Sequence, residues 1–405
     1  MHPEAEKLWR GPRWALALLL AALSALGPFA IDTYLPAFSA MAADVGATPV
    51  QMQQTLAAYL AGFALMNLFH GAISDSVGRR PVVLAAMAVF SLASVGCALA
   101  SGIGELLLFR ALQGMSAGGG MVVGRAIIRD LFAPHDAQRV MSQVTIWFGL
   151  APALAPLIGG WLLVWIDWHA IFWFMAALGA GLLALMWRAL PESLHPGQRQ
   201  SLHPLHLLRG YWQLGASPRF LALALSSGVP FNGMFLYVLA SPAWLGGHLG
   251  LAPTQFFWFF CIAVGGIMLG ALCSGRLAGR TPRERQIALG WGVMVAATAL
   301  NLGCNAAGLT HPLAAMLPIG LYSFGWALVV PVVTLVLLDL VPERRGMASS
   351  VQAFLGSVAN ALVAGALVPL VMHAPMALAL ASAALMSVGL LAWVAVRRHL
   401  PAGLL

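Results

Sequence analysis

Lysine and arginine are almost confined to alternate connectors between long apolar stretches, and this constrains the fold more than any other feature of the 405-residue chain. A helix needs about 20 apolar residues to cross a bilayer. Twelve such segments are readable, at roughly 14–37, 51–72, 81–101, 104–127, 139–163, 168–189, 219–241, 254–276, 286–305, 312–338, 348–371 and 375–396. Lys7, Arg10 and Arg13 precede the first, Arg79 and Arg80 follow the second, and Arg125, Arg129 and Arg139 surround the connector after the fourth. Arg188, Arg199, Arg209 and Arg219 belong to a central linker; Arg276, Arg280, Arg283 and Arg285 follow the eighth segment, Arg344 and Arg345 the tenth, Arg397 and Arg398 the last. The intervening connectors hold Asp44, Glu105, Asp167 and some His, but no Lys or Arg. Basic loops stay on the cytoplasmic side. The pattern therefore predicts an all-α membrane protein with twelve transmembrane helices and both termini cytoplasmic.

Composition agrees: 60% of residues are hydrophobic and 8% charged, too few to coat a soluble domain. The net charge of +8 orients the chain and faces lipid headgroups; its placement argues against nucleic acid. The first apolar run continues past Gly27 to Phe38 and more follow, so it reads as an uncleaved span rather than a signal peptide. Cys97, Cys261, Cys273 and Cys304 lie in apolar segments without metal-ligand spacing and are expected as core residues, with no metal site.

The segment 191–218, with Glu192, Pro196, Gly197, Arg199 and several His, breaks the apolar pattern. It reads as a cytoplasmic linker between two six-helix bundles, 1–190 and 219–405. The bundles repeat faintly. Gly71-Ala-Ile-Ser-Asp75-Ser-Val-Gly78-Arg79-Arg80 after the second segment answers to Gly275-Arg276-Leu277-Ala278-Gly279-Arg280 after the eighth. Asp130-Leu131, then Pro134, Arg139, Met141 and Ser142, answers to Asp339-Leu340, then Pro342, Arg345, Met347 and Ser349. Duplicated bundles around a midplane site are the common plan of secondary transporters.

These strings resemble the major facilitator superfamily. Gly71-x-x-x-Asp75-x-x-Gly78-Arg79-Arg80 is similar to its loop signature, Arg110-Ala-Leu-Gln113-Gly114 followed by Gly118-Gly119-Gly120 to its fourth-span signature, and Pro152-x-x-x-Pro156-x-x-Gly159-Gly160 to the fifth-span signature associated with proton antiporters. Within that superfamily, Asp32-Thr33-Tyr34-Leu35-Pro36, Arg129-Asp130-Leu131 and Tyr237-Val-Leu-Ala-Ser241-Pro242 resemble the bicyclomycin-resistance (Bcr/CflA) drug-efflux branch. The resemblance covers essentially the whole chain. It implies a bacterial inner-membrane protein, a monomer by habit of the fold, in which a first-span acid handles protons and substrate while a fourth-span Arg couples them. One departure stands out: Gly279 occupies the place of Asp75 in the second copy, so a charge-based lock there is asymmetric.

Asp32 and Arg110 are the only charges well inside apolar segments. A charge in the bilayer costs a few kcal/mol or more, which makes both candidates for function. Each is about five residues from the expected outer end of its span, or roughly 7–8 Å, so the two can share an outer-half cavity. Burial favours the neutral acid and a neighbouring guanidinium favours the carboxylate; a group pulled both ways can trade a proton for substrate. The alternative is a static ion pair orienting the two spans. Gln113, one turn from Arg110, bonds substrate, Arg110 or another helix. Tyr59, Trp147, Asn232 and Tyr237 are candidate cavity walls. Tyr34, two residues from Asp32, falls on the opposite face of a regular helix and is left out. Gly71 is expected to allow close helix approach, Gly78 a tight turn, and Asp75 a contact with a helix N-terminus in the other half, with Arg79 or Arg80 pairing Asp130. Pro152 and Pro156 predict a bend in span five, with Gly159 and Gly160 packing closely.

These residues point to a proton-driven exporter of small, mostly lipophilic drugs, needing no cofactor beyond the proton gradient. The other transporter reading is export or uptake of a native metabolite such as a sugar, nucleoside or amino acid. An enzyme is not expected: the spans hold no nucleophile–His arrangement, and Asp32 is the only acid expected to be buried in them. No Gly-x4-Gly-Lys-Ser/Thr loop supports an ATP-driven pump.

Overall fold

In lipid, a chain must satisfy its backbone polar groups internally, and a helix does this within one segment. All secondary structure among the described residues is helical. The structure, a computed structural model, describes residues 13–132, 134–195, 197, 199, 204–341 and 345–400; side chains at 13, 134–139, 142–143, 145–148, 204–208 and 345–346 lie outside the description.

The long helices are α1 (Arg13–Asp32), α2 (Pro49–Val77), α3 (Arg79–Ala98), α4 (Ile103–Leu131), α5 (Pro134–Trp165), α6 (His169–Ala189), α7 (Pro218–Leu239), α8 (Phe257–Leu277), α9 (Arg283–Ala306), α10 (Pro312–Leu340), α11 (Arg345–Leu362) and α12 (Pro375–Arg397). Eleven helical segments are long and apolar enough to cross a membrane; α5 contributes a shorter apolar stretch, Gly149–Trp165, among its described residues. Large apolar side chains such as Leu92, Trp165 and Leu370 stand more than two-thirds exposed, which suits lipid and not water. Of the cysteines, Cys97 is buried, but Cys261 is exposed and the other two are half-buried, so the core expectation holds for Cys97 alone.

The chain divides into two units, Met1–His203 and Pro204–Leu405, a division that falls inside the segment 191–218. That segment also carries a helix of its own, Pro204–Gly215. In the first unit α2 lies along α4, α3 packs on α4 and α6, and α1 packs on α5 and α4. In the second, α8 lies along α10, α9 packs on α10 and α12, and α7 packs on α12, α10 and α11.

The repetition extends to single contacts. A Cβ on Gly62 would fall on the Ala111 carbonyl of α4, and one on Gly266 would fall on the Gly320 carbonyl of α10. Gly62 and Gly266 each stand nine residues before their loop glycine, Gly71 or Gly275; Ala111 and Gly320 each stand nineteen before Asp130 or Asp339. Small residues therefore allow close helix approach at equivalent places, as expected where packing drives association in lipid. Gly71 does not have the role expected of it: a Cβ there would meet Val122 at an ordinary 3.8 Å. The close approach lies nine residues earlier.

Candidate functional site

α1 is regular up to Asp32 and then breaks. Pro36 has no N–H to offer the Asp32 carbonyl. Thr33 N–H still donates to Phe29 O (3.1 Å), Ala37 N–H donates to Tyr34 O in a tighter turn (3.0 Å), and a short helix, Phe38–Asp44, resumes. The span is thus longer than the expected 14–37, and Asp32 sits at its break. Asp32, Thr33 and Tyr34 are all buried.

Arg110, near the start of α4, meets this break and is fully buried. Its Nη1 donates to Ala30 O (2.8 Å) and Gln113 Oε1 (2.5 Å). Its guanidinium carbon lies 4.2 Å from the Tyr34 ring centre and 4.5 Å from that of Tyr59. Such contacts reach about 2 kcal/mol when desolvated. Both rings are themselves tied. Thr55 donates to Met52 O (2.7 Å), so the Tyr34 hydroxyl must donate to Thr55 Oγ1 (2.9 Å). Tyr59 donates to Gly27 O (3.2 Å). Gln113 donates through Nε2 to Ser94 Oγ (2.7 Å), and Ser94 to Phe90 O (2.7 Å). A Cβ on Gly114 would fall on the Tyr59 carbonyl, so that glycine brings α2 close enough to place Tyr59 on Arg110.

The expected partner is missing from this set. Asp32 is two residues from Ala30, but it makes no ion pair or hydrogen bond with any described residue. The static ion pair is therefore not present. The Arg110 guanidinium is solvated by a carbonyl, an amide oxygen and two aromatic faces, while its Nε and Nη2 are buried with no hydrogen-bond partner among described groups.

Tyr34 faces Arg110, contrary to the regular-helix expectation, because the helix breaks after Asp32; Pro36 is the signal in the sequence. Tyr34→Phe, which keeps the ring and loses the Thr55 bond, is expected to cost about 1 kcal/mol and leave transport near normal. Tyr34→Leu removes one face of the sandwich and is expected to cut transport severely in a protein that still folds. Transport rates beside thermal unfolding of both variants check this; equal activity of the two would contradict it.

α5 runs unbroken as a helix through Pro152 and Pro156 and packs along α1. A Cβ on Gly159 would fall on the Thr33 carbonyl, so this glycine seats α5 against the break beside Asp32; Gly160 is buried next to it.

The loop motif forms a second cluster. α2 ends at Val77 and α3 begins at Arg79, leaving Gly78 (φ 118°) as the whole connection. Arg79 reaches Asp75 (2.5 Å), Asp130 (3.0 Å) and Ser74 Oγ (2.6 Å). Arg80 takes no part in the pairing and donates to Trp187 O (2.6 Å); Arg129 is exposed. Glu192, read only as linker, completes the cluster: its carboxylate accepts from the backbone N–H of Arg79 (3.0 Å), Arg80 (3.3 Å) and Leu194 (3.0 Å), and Ser193 donates to Asp130 (3.0 Å). A carboxylate suits a helix N-terminus, but no sequence signal joins residues this far apart. Replacing such a cap by Ala costs about 1 kcal/mol. Glu192→Ala is thus expected to speed amide exchange at Arg79 and Arg80 about fivefold; unchanged exchange would remove the cap.

Gln113, Tyr59, Asn232 and Tyr237 are fully buried. Tyr237 accepts from Asn301 Nδ2 (2.7 Å) and lies edge-on to Trp244, while Asn232 lies 3.5 Å from Gly228 O. Hydropathy alone cannot tell a helix's packed face from its open one. The Trp147 side chain is outside the described residues. Arg125, assigned to the end of its span, lies inside α4 and lines a cavity of about 170 Å³ with Leu20, Ser24 and Gly124.

Many long apolar helices, repeated packing and buried charges define a multi-pass membrane protein of the transporter type. The Major Facilitator Superfamily family model matches residues 17–364. The bicyclomycin resistance protein homolog of Haemophilus influenzae is 31% identical over 270 residues, covering 67% of this chain and 68% of that protein. Multidrug resistance protein D of Escherichia coli K12 is 29% identical over 352 residues, covering 86% and 87%. The crystal structure of a D-xylose-proton symporter superposes with a TM-score of 0.73 at 15% identity, over 96% of this chain and 98% of that one, and shows the shared fold. The chain belongs to the major facilitator superfamily, within the bicyclomycin-resistance branch that its first- and seventh-span strings resemble.

Proposed function

We propose that this protein is a proton-coupled exporter of small, mostly lipophilic drugs. It works as a monomer in the bacterial inner membrane, with twelve spans in two six-helix bundles and both termini cytoplasmic. Relatives named for bicyclomycin and multidrug resistance support the substrate class. The observation that supports the mechanism is a buried Asp32, with no ion pair or hydrogen bond among the described residues, in the same break of α1 whose Ala30 carbonyl and Tyr34 ring hold Arg110.

An ionised carboxylate at Asp32 would lack a counter-charge, and protonation removes that cost. Substrate binding that favours the carboxylate releases the proton. Arg110 holds two idle donors, Nε and Nη2, that can answer the new charge. Answering it means leaving Ala30 O or the tyrosine sandwich, so proton loss loosens the α1–α4 seam. Gly159, seated on Thr33, carries that movement to α5. The Asp75–Arg79–Asp130 cluster, capped by Glu192, holds the ends of α2, α3 and α4 together as the seam moves.

The test is purified protein in liposomes with an imposed pH gradient, offered amphenicols, sulfonamides, quinolones and lipophilic cations one at a time. Proton movement triggered by members of the panel supports drug:proton antiport. Silence across the panel would overturn it in favour of a dedicated metabolite transporter.

A further inference from the structure

The helix Pro204–Gly215 has two unlike faces. On one, Gly210 and Leu214 are buried, and a Cβ on Gly210 would meet Met347 Sδ of α11 at 2.6 Å, so the helix is pinned to its own unit. On the opposite face Arg209 is exposed and Trp212 is 78% exposed. The chain then turns, with Ala216 N–H on Trp212 O (2.8 Å) and Ser217 N–H on Leu214 O (3.1 Å), and enters α7 with Arg219 exposed. Because α7 is a membrane span, this surface lies at the membrane boundary. A bare indole there would be poorly placed in water, but tryptophan is the residue enriched at the headgroup level.

Charge narrows the occupant. From Ser193 to Arg283 the chain contains no Asp or Glu, while Arg199, Arg209 and Arg219 all fall within it. No ion pair to Arg209 or Arg219 exists among the described residues. The helix with Arg209 and Trp212, together with Arg219 at the start of α7, therefore presents two cations and an aromatic side chain with no carboxylate of their own segment to neutralise them, the pattern of an interfacial segment on an anionic bilayer.

We propose that Arg209, Trp212 and Arg219 form a binding surface for the phosphate headgroups of anionic phospholipid, anchoring the second unit at its first span. The full-length protein would be placed in nanodiscs of phosphatidylcholine with or without phosphatidylglycerol, and lipid retained through native mass spectrometry compared for wild type, Arg209→Gln/Arg219→Gln and Trp212→Ala. Wild type is expected to retain phosphatidylglycerol in preference to phosphatidylcholine. The preference should fall about fivefold for each cation removed and weaken in high salt, with thermal unfolding in detergent unchanged because these side chains are exposed. Trp212→Ala should lower retention of both lipids. Equal retention of the two lipids by wild type, or an undiminished preference in the double variant, would overturn the proposal. Transport is not the readout, so failure of the efflux reading leaves this test standing.

Discussion

Asp32→Asn is expected to reduce gradient-driven drug export to the background of empty liposomes while the protein inserts and folds normally. The substitution preserves shape and leaves the Arg110 contacts intact, since none of them involves the Asp32 carboxylate. It also removes a group whose charged form has no partner, so stability should hold or rise. A buried ion pair would behave oppositely, because removing one partner strands the other at about 3–5 kcal/mol. Export rate and unfolding temperature together separate the two cases. Lost export at unchanged or higher stability fits a proton site; a large drop in stability would indicate an ion pair after all.

Arg110→Lys is expected to be damaging on both counts. Lysine keeps the charge but presents a compact ammonium in place of a planar fork. It cannot lie flat between Tyr34 and Tyr59 while reaching both Ala30 O and Gln113. The lost sandwich and weakened charge-assisted bonds together cost roughly 2–4 kcal/mol, felt in the first unit. Transport should fall to background even where enough protein folds to be assayed. Near-normal transport by the lysine variant would show that only the charge matters and that the aromatic faces are incidental. Denaturant or thermal unfolding beside transport in the same liposomes decides this.

Much of this architecture was legible because the bilayer imposes a simple rule on sequence. Apolar length and cation placement mark the spans, and the Gly71–Arg80 string marks the one-residue turn at Gly78. Arg79, rather than Arg80, makes the pair with Asp130, a choice that one-dimensional spacing leaves open. The site was legible in its charges but not in its partners. Arg110 does reach α1 beside Asp32, yet it bonds the Ala30 carbonyl, and a backbone acceptor leaves no mark in sequence. Tyr34 was missed because the helix phase resets at the Pro36 break, and the ring that periodicity sends outward turns onto the guanidinium. Glu192 was missed for a different reason: it acts through backbone N–H groups 113 and 112 residues away. Gly71 marks a motif and Gly114 closes the fourth-span string, whereas Gly62, which also brings α2 onto α4, belongs to no string distinctive enough to single out.

The most direct measurement is proton release on substrate binding, read with a pH indicator in weakly buffered detergent solution of purified protein, with Asp32→Asn alongside. The account predicts that a transported drug drives protons off the wild type and none off Asp32→Asn. Release that survives in the variant, or drug binding to the wild type with no proton released, would contradict the assignment of Asp32 as the carrier.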